Sequence, residues 1–202
     1  AAGVGSSCYY GFDRAIHVKP VKYHYLMGPV LIGIDFNVNP MTATLCQMHR
    51  GVIGAFAEVY LPNSDTPKMA AELVARLKAL GVRPQSAVVF PDASGNSRRT
   101  IGESDFSILR RFGLTHLVYD PANPYVRDRR AAVNGAFYHG CAVVDPSCTH
   151  LIEDLTLVEV DDQGDGPALR AGDDQAPEPD ELLELGAELQ GVDVDHEHVR
   201  VG

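Results

Sequence analysis

The protein has 202 residues, of which 45% are hydrophobic and 22% charged, which suffices for one globular domain and is little for two. This composition excludes a wholly disordered chain, and the 19 glycines and 13 prolines form no collagen-like repeat. The longest apolar stretch, residues 29–34, is far too short to cross a membrane, and no signal peptide is visible. We therefore expect a cytoplasmic or nuclear protein whose four cysteines are reduced.

The charge is divided unevenly along the chain. Residues 151–202 contain 16 acidic and 2 basic residues, whereas residues 1–150 contain 11 acidic and 15 basic ones. The net charge of −10 therefore comes from the C-terminal part, and the rest of the chain is mildly basic. A nucleic acid partner is not excluded by the overall charge.

The first predicted elements are three strands. Residues 30–36 are apolar on both faces, as in a buried central strand, and strands at 41–48 and 52–61 follow after short turns. Short turns between consecutive strands favour an antiparallel meander. A helix is predicted next, beginning at Asn63–Pro67 with a capping Asp or Thr and ending at Gly81. The later predictions are strands at 87–90, 115–119 and 141–144, helices at 104–112, 126–137 and 147–155, and an extended segment at 157–160.

This order of elements predicts an α/β fold with a ribonuclease H-like mixed five-stranded sheet: three antiparallel strands, then alternating helices and strands, flanked by helices. We expect an irregular lead-in at residues 1–28 that connects to another domain, and the folded domain at 29–160. Residues 161–202 are rich in Asp, Gly and Pro and predict an acidic, poorly structured tail with one possible short helix.

Two aspartates follow strands that are neighbours in a ribonuclease H-like sheet. Asp35 ends the first strand and Asp92 follows the fourth, so both carboxylates are expected at the same edge. An unpaired carboxylate at the end of an apolar strand is costly unless it is hydrogen-bonded or binds a cation. Each aspartate alone could merely cap a turn, and their paired placement favours a site for two Mg²⁺ or Mn²⁺ ions.

Arginines are frequent after Asp92 and suggest a DNA-binding surface. On the predicted helix at 126–137, Arg127 and Arg130 lie on adjacent turns, and such a face can contact phosphates, although a solvated helix surface explains it nearly as well. The cluster consists of Arg98, Arg99, Arg110, Arg111, Arg127, Arg129 and Arg130.

Other chemistries have weak support. Glu58 lies two strands away from Asp35, which argues against direct metal binding. His139–Cys141 and Cys148–His150 do not have the spacing of a zinc site. The sequence contains neither the phosphate-binding nor the dinucleotide-binding glycine motif.

Several segments resemble the nuclease domain of bacteriophage terminase large subunits. The pair GIDFNVNPM and PDASGNSRRT is the most specific, and EVYLPNSDTPKMAAEL, GESDFSILRRFG and NPYVRDRRAAVNGAF agree with it in order. The resemblance covers roughly residues 9–158 and implies a two-metal endonuclease that cuts concatemeric viral DNA during packaging. Asp35 and Asp92 match the family's first two metal-binding acids.

The resemblance also implies partners and a location. These are double-stranded DNA, an ATPase motor domain, the portal and the small terminase subunit, all in the host cell cytoplasm. The motor domain precedes the nuclease in that family, and the lead-in would be what remains of the connection.

The third acid departs from the family pattern. That family carries an aspartate in a His-x-x-Asp-Ala helix after the last strand, and this motif is missing here. Asp180, at the start of DELLELGAEL, is the first candidate and Asp174 the second. We expect Asp35 to bridge both ions, Asp92 to bind one, Asp180 to complete the set, and Arg98, Arg99, Arg127 and Arg130 to position DNA. The alternatives are a degenerate nuclease fold that binds DNA or a packaging partner without cutting, and a junction resolvase or exonuclease of the same fold.

Overall fold

A six-stranded mixed sheet lies at the centre of the computed structural model, which describes residues 7–92, 95, 103–120 and 125–160. The strand order is β5-β4-β1-β2-β3-β6. The strands are β1 (Leu31–Asp35), β2 (Met41–His49), β3 (Val52–Leu61), β4 (Val88–Pro91), β5 (His116–Leu117) and β6 (Ala142–Val144).

The pairing of these strands confirms the predicted mixed α/β sheet. β1, β2 and β3 form an antiparallel meander, β4 pairs parallel to β1, and β5 pairs parallel to β4. The sheet has six strands instead of the five expected, because the short strand β6 pairs parallel to the outer side of β3. That pairing covers an edge of β3 that a five-stranded sheet would leave open.

Five helices connect and cover the strands. α2 begins after Asp65, whose carboxylate accepts a hydrogen bond from the Lys68 backbone N–H, and the chain leaves it through Gly81 at a φ of +72°. α5 runs to residue 157, where an extended segment was predicted. No described helix has the length and apolarity needed to cross a membrane. The helices are α1 (Arg14–His17), α2 (Thr66–Ala79), α3 (Asp105–Arg111), α4 (Val126–Tyr138) and α5 (Thr149–Leu157).

Two apolar clusters lie on opposite faces of the sheet. Phe56 and Ala55 are neighbours on β3 and therefore point in opposite directions. Phe56 belongs to the larger cluster, in which α2 and α3 cover β1, β2 and β4, and Ala55 belongs to the smaller one, which packs under α4 and α5. Among the described residues, the helices of the smaller cluster cover the β3–β6 side of their face, and Gly33, Asp35 and Phe90 on the β1–β4 side are exposed.

The described part of the lead-in packs against α4 and β6. Asn134 is buried in α4; its Oδ1 accepts a hydrogen bond from the Gly11 N–H at 2.8 Å, and its Nδ2 donates to the Cys8 carbonyl at 3.1 Å. The buried His17 ring is 3.0 Å from the Phe137 carbonyl oxygen. The described residues belong to one compact unit. The domain boundaries at residues 28 and 160 stay predictions.

Replacing Asn134 with alanine is expected to lower the free energy of unfolding by about 1–3 kcal/mol, because one buried amide and one carbonyl lose their partners. Urea denaturation measures this loss. Val133→Ala, at the exposed neighbour on the same helix, is the matched control and should change stability by less than about 0.5 kcal/mol. Equal stability of both variants would contradict an anchoring role for Asn134.

Candidate active site

The parallel pairing of β1 and β4 brings the two predicted carboxylates to one edge of the sheet. Ile34 pairs with Pro91, and the Asp92 N–H donates to the Ile34 carbonyl at 3.3 Å. Asp35 and Asp92 are the next residues in this register, and adjacent strands lie about 4.8 Å apart. The sequence-based expectation that these two residues meet at the same edge agrees with this placement.

The surroundings of Asp35 differ from the expectation. Ile32 and Ile34 are buried in the larger cluster, but Gly33 and Asp35 point to the open face and are exposed. The first strand is therefore covered on one face, not on both. The argument that burial makes an unpaired Asp35 carboxylate costly does not apply to this exposed position.

Asp35 also organises the turn after β1. Its Oδ2 accepts a hydrogen bond from Asn37 Nδ2 at 2.9 Å, and its Oδ1 lies 3.3 Å from the Asn37 backbone N–H. Asp35 thus caps the turn that follows β1, as one of the two roles considered for it from the sequence. A carboxylate has about four acceptor positions, so it can keep these contacts and still bind a cation.

Gly95 joins the loops that follow the two carboxylates. Its N–H donates to the Asp92 carbonyl at 3.2 Å, which folds the chain back after β4. A Cβ at this position would collide with the Phe36 ring and lie 3.0 Å from the Phe106 ring. Only glycine leaves room for the loop after Asp92 to pack against the ring of Phe36, which follows Asp35.

The two carboxylates line an open groove of about 750 Å³. Its sides also include Asp120, which follows β5, and Arg129 of α4; we call it the acidic groove, defined by Gly33, Asp35, Phe90, Asp92, Asp120 and Arg129. The position of Asp120 in this groove was not predicted from the sequence. The signal was present, because Asp120 follows a strand that is parallel to β4 and therefore ends at the same edge.

The arginines that were predicted to bind DNA differ in their exposure, and two of them lie outside the described residues. Arg127 is exposed in the first turn of α4, and its Nε lies 3.4 Å from Asp128. Arg130 is half-buried, one helical turn before the anchored Asn134, on the side of α4 that faces the lead-in. Arg98 and Arg99 lie outside the described residues, as do both third-acid candidates, Asp174 and Asp180.

The donor set of the groove suits a hard divalent cation. Carboxylate oxygens are the preferred ligands of Mg²⁺ and Mn²⁺. Within residues 7–92, 95, 103–120 and 125–160, no three His, Cys, Asp or Glu side chains are arranged to hold a metal ion together. Asp35 and Asp92 thus place two carboxylates at one edge of the sheet, and no third metal-binding side chain among the described residues is grouped with them.

Glu58 has a structural role at the start of α5. Its carboxylate accepts hydrogen bonds from the backbone N–H groups of His150 and Leu151 at 3.0 and 2.8 Å, and its Oε1 lies 2.9 Å from His150 Nδ1. Burial raises the pKa of Glu58, but these hydrogen bonds together outweigh it and leave the pKa below its usual range. Glu58 thus caps the start of α5, a role that the sequence did not predict.

The Cys148 thiol is buried, and this burial raises its pKa to about 12. It packs in the smaller apolar cluster, and its Sγ lies 3.9 Å from the Ala55 carbonyl oxygen.

The fold is similar to that of large terminases from bacteriophages. The large terminase from a thermophilic bacteriophage is 18% identical, with a TM-score of 0.66; the match covers 81% of this chain and 41% of that one. The P22 large terminase nuclease domain is 13% identical, with a TM-score of 0.64 and coverages of 83% and 86%. The large terminase nuclease from thermophilic phage G20c with bound magnesium is 15% identical, with a TM-score of 0.59 and coverages of 85% and 93%.

These likenesses confirm the resemblance to terminase nuclease domains at the level of the fold. No family model matches the sequence, and no match to a curated protein was found. This chain spans about two fifths of the first of these large terminases and most of the two nuclease domains.

Gly95→Ala is expected to displace the Phe36 ring and lower the free energy of unfolding by about 1–3 kcal/mol, as in other overpacked sites. Urea denaturation measures the change. Gly135→Ala, in α4 with no atom within 4 Å of the added Cβ, is the control and should be neutral or stabilising. Wild-type stability of Gly95→Ala would contradict the close approach of the two loops.

Glu58→Gln is expected to lower the free energy of unfolding at pH 7 by about 1 kcal/mol, the usual size of a helix-cap contribution. Because the folded-state pKa is below the ordinary value of about 4.3, the carboxylate contributes fully above that pH and its contribution is lost as pH falls through the folded-state pKa. Urea midpoints of both proteins should therefore converge in acid. A difference that stays constant with pH would contradict this capping interaction.

Proposed function

We propose that this chain is the metal-dependent DNA endonuclease domain of a phage packaging terminase, which cuts concatemeric viral DNA by two-metal phosphodiester hydrolysis. The observation that carries the proposal is the pair Asp35 and Asp92, which follow adjacent parallel strands and line one open groove. The fold likeness to terminase nuclease domains, one of them with bound magnesium, supports the same function.

In this proposal the carboxylates hold the cations and water is the nucleophile. Asp35 would hold both Mg²⁺ or Mn²⁺ ions, Asp92 would hold one of them, and Asp180, or Asp174 as the alternative, would complete the ligand set. The bound ions supply Lewis acidity at the phosphodiester. The hydrogen bonds from Asn37 fix the orientation of the Asp35 carboxylate, and the packing of Gly95 on Phe36 holds the Asp92 loop beside it. No side-chain nucleophile is required.

The proposed substrate is double-stranded DNA, held by Arg98, Arg99 and Arg127 through its phosphates. Arg130 was also predicted for this role, but it lies half-buried on the side of α4 that faces the lead-in. The proposed partners are an ATPase motor domain, the portal and the small terminase subunit, in the host cell cytoplasm. The likeness to part of a longer large terminase supports the association with a motor domain, since this chain covers only 41% of that protein.

A second function is favoured by a specific observation. The described residues contain no group of three metal-binding side chains, and the His-x-x-Asp-Ala helix is missing from the sequence. A chain that cannot complete the ligand set would be a degenerate nuclease fold that binds DNA or a packaging partner without cutting. Calorimetry with Mn²⁺ separates the two functions, because only the nuclease requires measurable metal affinity.

Asp35→Asn is expected to reduce Mn²⁺-dependent nicking of supercoiled plasmid by more than about 100-fold, since even outer-sphere partners of metal ligands contribute about 10–100-fold. Circular dichroism should show an unchanged fold. Asp65→Asn, at an exposed carboxylate that caps α2 outside the acidic groove, is the matched control and should cut like the wild type, because asparagine keeps the cap. Full activity of Asp35→Asn would refute the proposed site.

A further inference from the structure

We propose that Arg129 binds a phosphate of the DNA strand that lies in the acidic groove. This inference rests on the proposed function, because it assigns a substrate contact to the same groove. Arg129 was one of seven clustered arginines in the sequence, and only its place in the fold distinguishes it from the others.

The rotation of α4 directs Arg129 to the groove. Asn134 and Phe137 are buried on the side of the helix that contacts the lead-in and the smaller cluster. Arg130 lies one turn before Asn134 on that side, whereas Arg129 is turned about 100° away from Arg130. Arg129 therefore lines the groove together with Asp35 and Asp92.

Arg129 is available to a ligand. It is exposed, and it forms no ion pair or hydrogen bond with any other residue that the structure describes. It contributes to the electrostatics of Tyr9: burial raises the pKa of Tyr9, and Arg129 is among the charges that oppose this increase. By comparison, Arg111 on α3 is paired with Glu103 at 2.6 Å.

Arg129 offsets the negative charge of the groove. Asp35, Asp92 and Asp120 repel a phosphodiester, and Arg129 is the one cation among the described residues that line the groove. A guanidinium can donate two parallel hydrogen bonds to phosphate oxygens, which fixes both position and orientation. Because it lines the same groove as these carboxylates, it attracts the backbone to the edge where the cations are proposed to bind.

Arg129→Ala is expected to weaken binding of a linear duplex by about 10-fold or more, the contribution of one charge-assisted hydrogen bond. Binding is measured by fluorescence anisotropy in Ca²⁺ at several salt concentrations. The slope of log Kd against log salt should fall by about 0.9, the value for one phosphate contact. Arg129→Lys keeps the charge without the planar fork and should recover part of the affinity.

Arg83→Ala is the matched control, because Arg83 is an exposed arginine that belongs neither to the arginine cluster after Asp92 nor to the lining of the acidic groove. At physiological salt it should change the affinity by less than about 2-fold, because the effect of a distant charge is screened. Equal losses in Arg129→Ala and Arg83→Ala would overturn the inference, since they would reflect net charge alone. Wild-type affinity and an unchanged salt slope in Arg129→Ala would overturn it as well.

Two further measurements separate this inference from the proposed function. Mn²⁺ binding by Arg129→Ala, measured by calorimetry, should be at least as tight as in the wild type, because the guanidinium is not a ligand. If the wild type neither binds Mn²⁺ nor cuts DNA while Arg129→Ala still lowers DNA affinity and salt slope, the phosphate contact is supported and the nuclease function fails. If Asp35→Asn loses cutting while Arg129→Ala binds DNA normally, the nuclease function stands and the phosphate contact is refuted.

Discussion

The parallel pairing of β1 with β4 is the constraint on which the candidate site depends. These strands are separated by more than fifty residues that contain the meander and α2, and yet their hydrogen bonds set Ile34 beside Pro91. Since both strands run in the same direction, the residues that follow them leave the sheet at one edge. A shift of one residue in this register would turn one of the two carboxylates to the other face.

The unequal covering of the sheet makes that edge accessible. α2 and α3 bury one face of β1 and β4, whereas α4 and α5 cover only the β3–β6 side of the other face. Polar contacts hold these two helices in place: Glu58 caps the start of α5, and Asn134 fixes α4 to the lead-in. The groove therefore lies beside the layer formed by α4 and α5. Its charged groups come from the ends of β1, β4 and β5 and from one face of α4.

The likeness to terminase nuclease domains at 13–18% identity lies in the fold. What the described residues add to it is a pair of carboxylates, a third acid at the end of β5 and a guanidinium that no described residue pairs with. The three carboxylates are ligands that hard cations prefer, and the guanidinium can bind a phosphate. As proposed, cutting and phosphate binding depend on different residues of the same groove, so substitution can separate them.

The sequence by itself determined most of the secondary structure and the pair Asp35 and Asp92, because alternation, turn residues and caps are local signals. It predicted the meander, the capped start of α2 and the end of β4, and it identified β6 as a strand without placing it in the sheet. It could not determine which face of β1 is covered, which of three neighbouring arginines in α4 faces the groove, or that Asp120 joins the carboxylates. Those features were decided only by the tertiary structure, because they depend on the rotation of α4 and the extent of the second helix layer, which are set by contacts between residues more than one hundred positions apart.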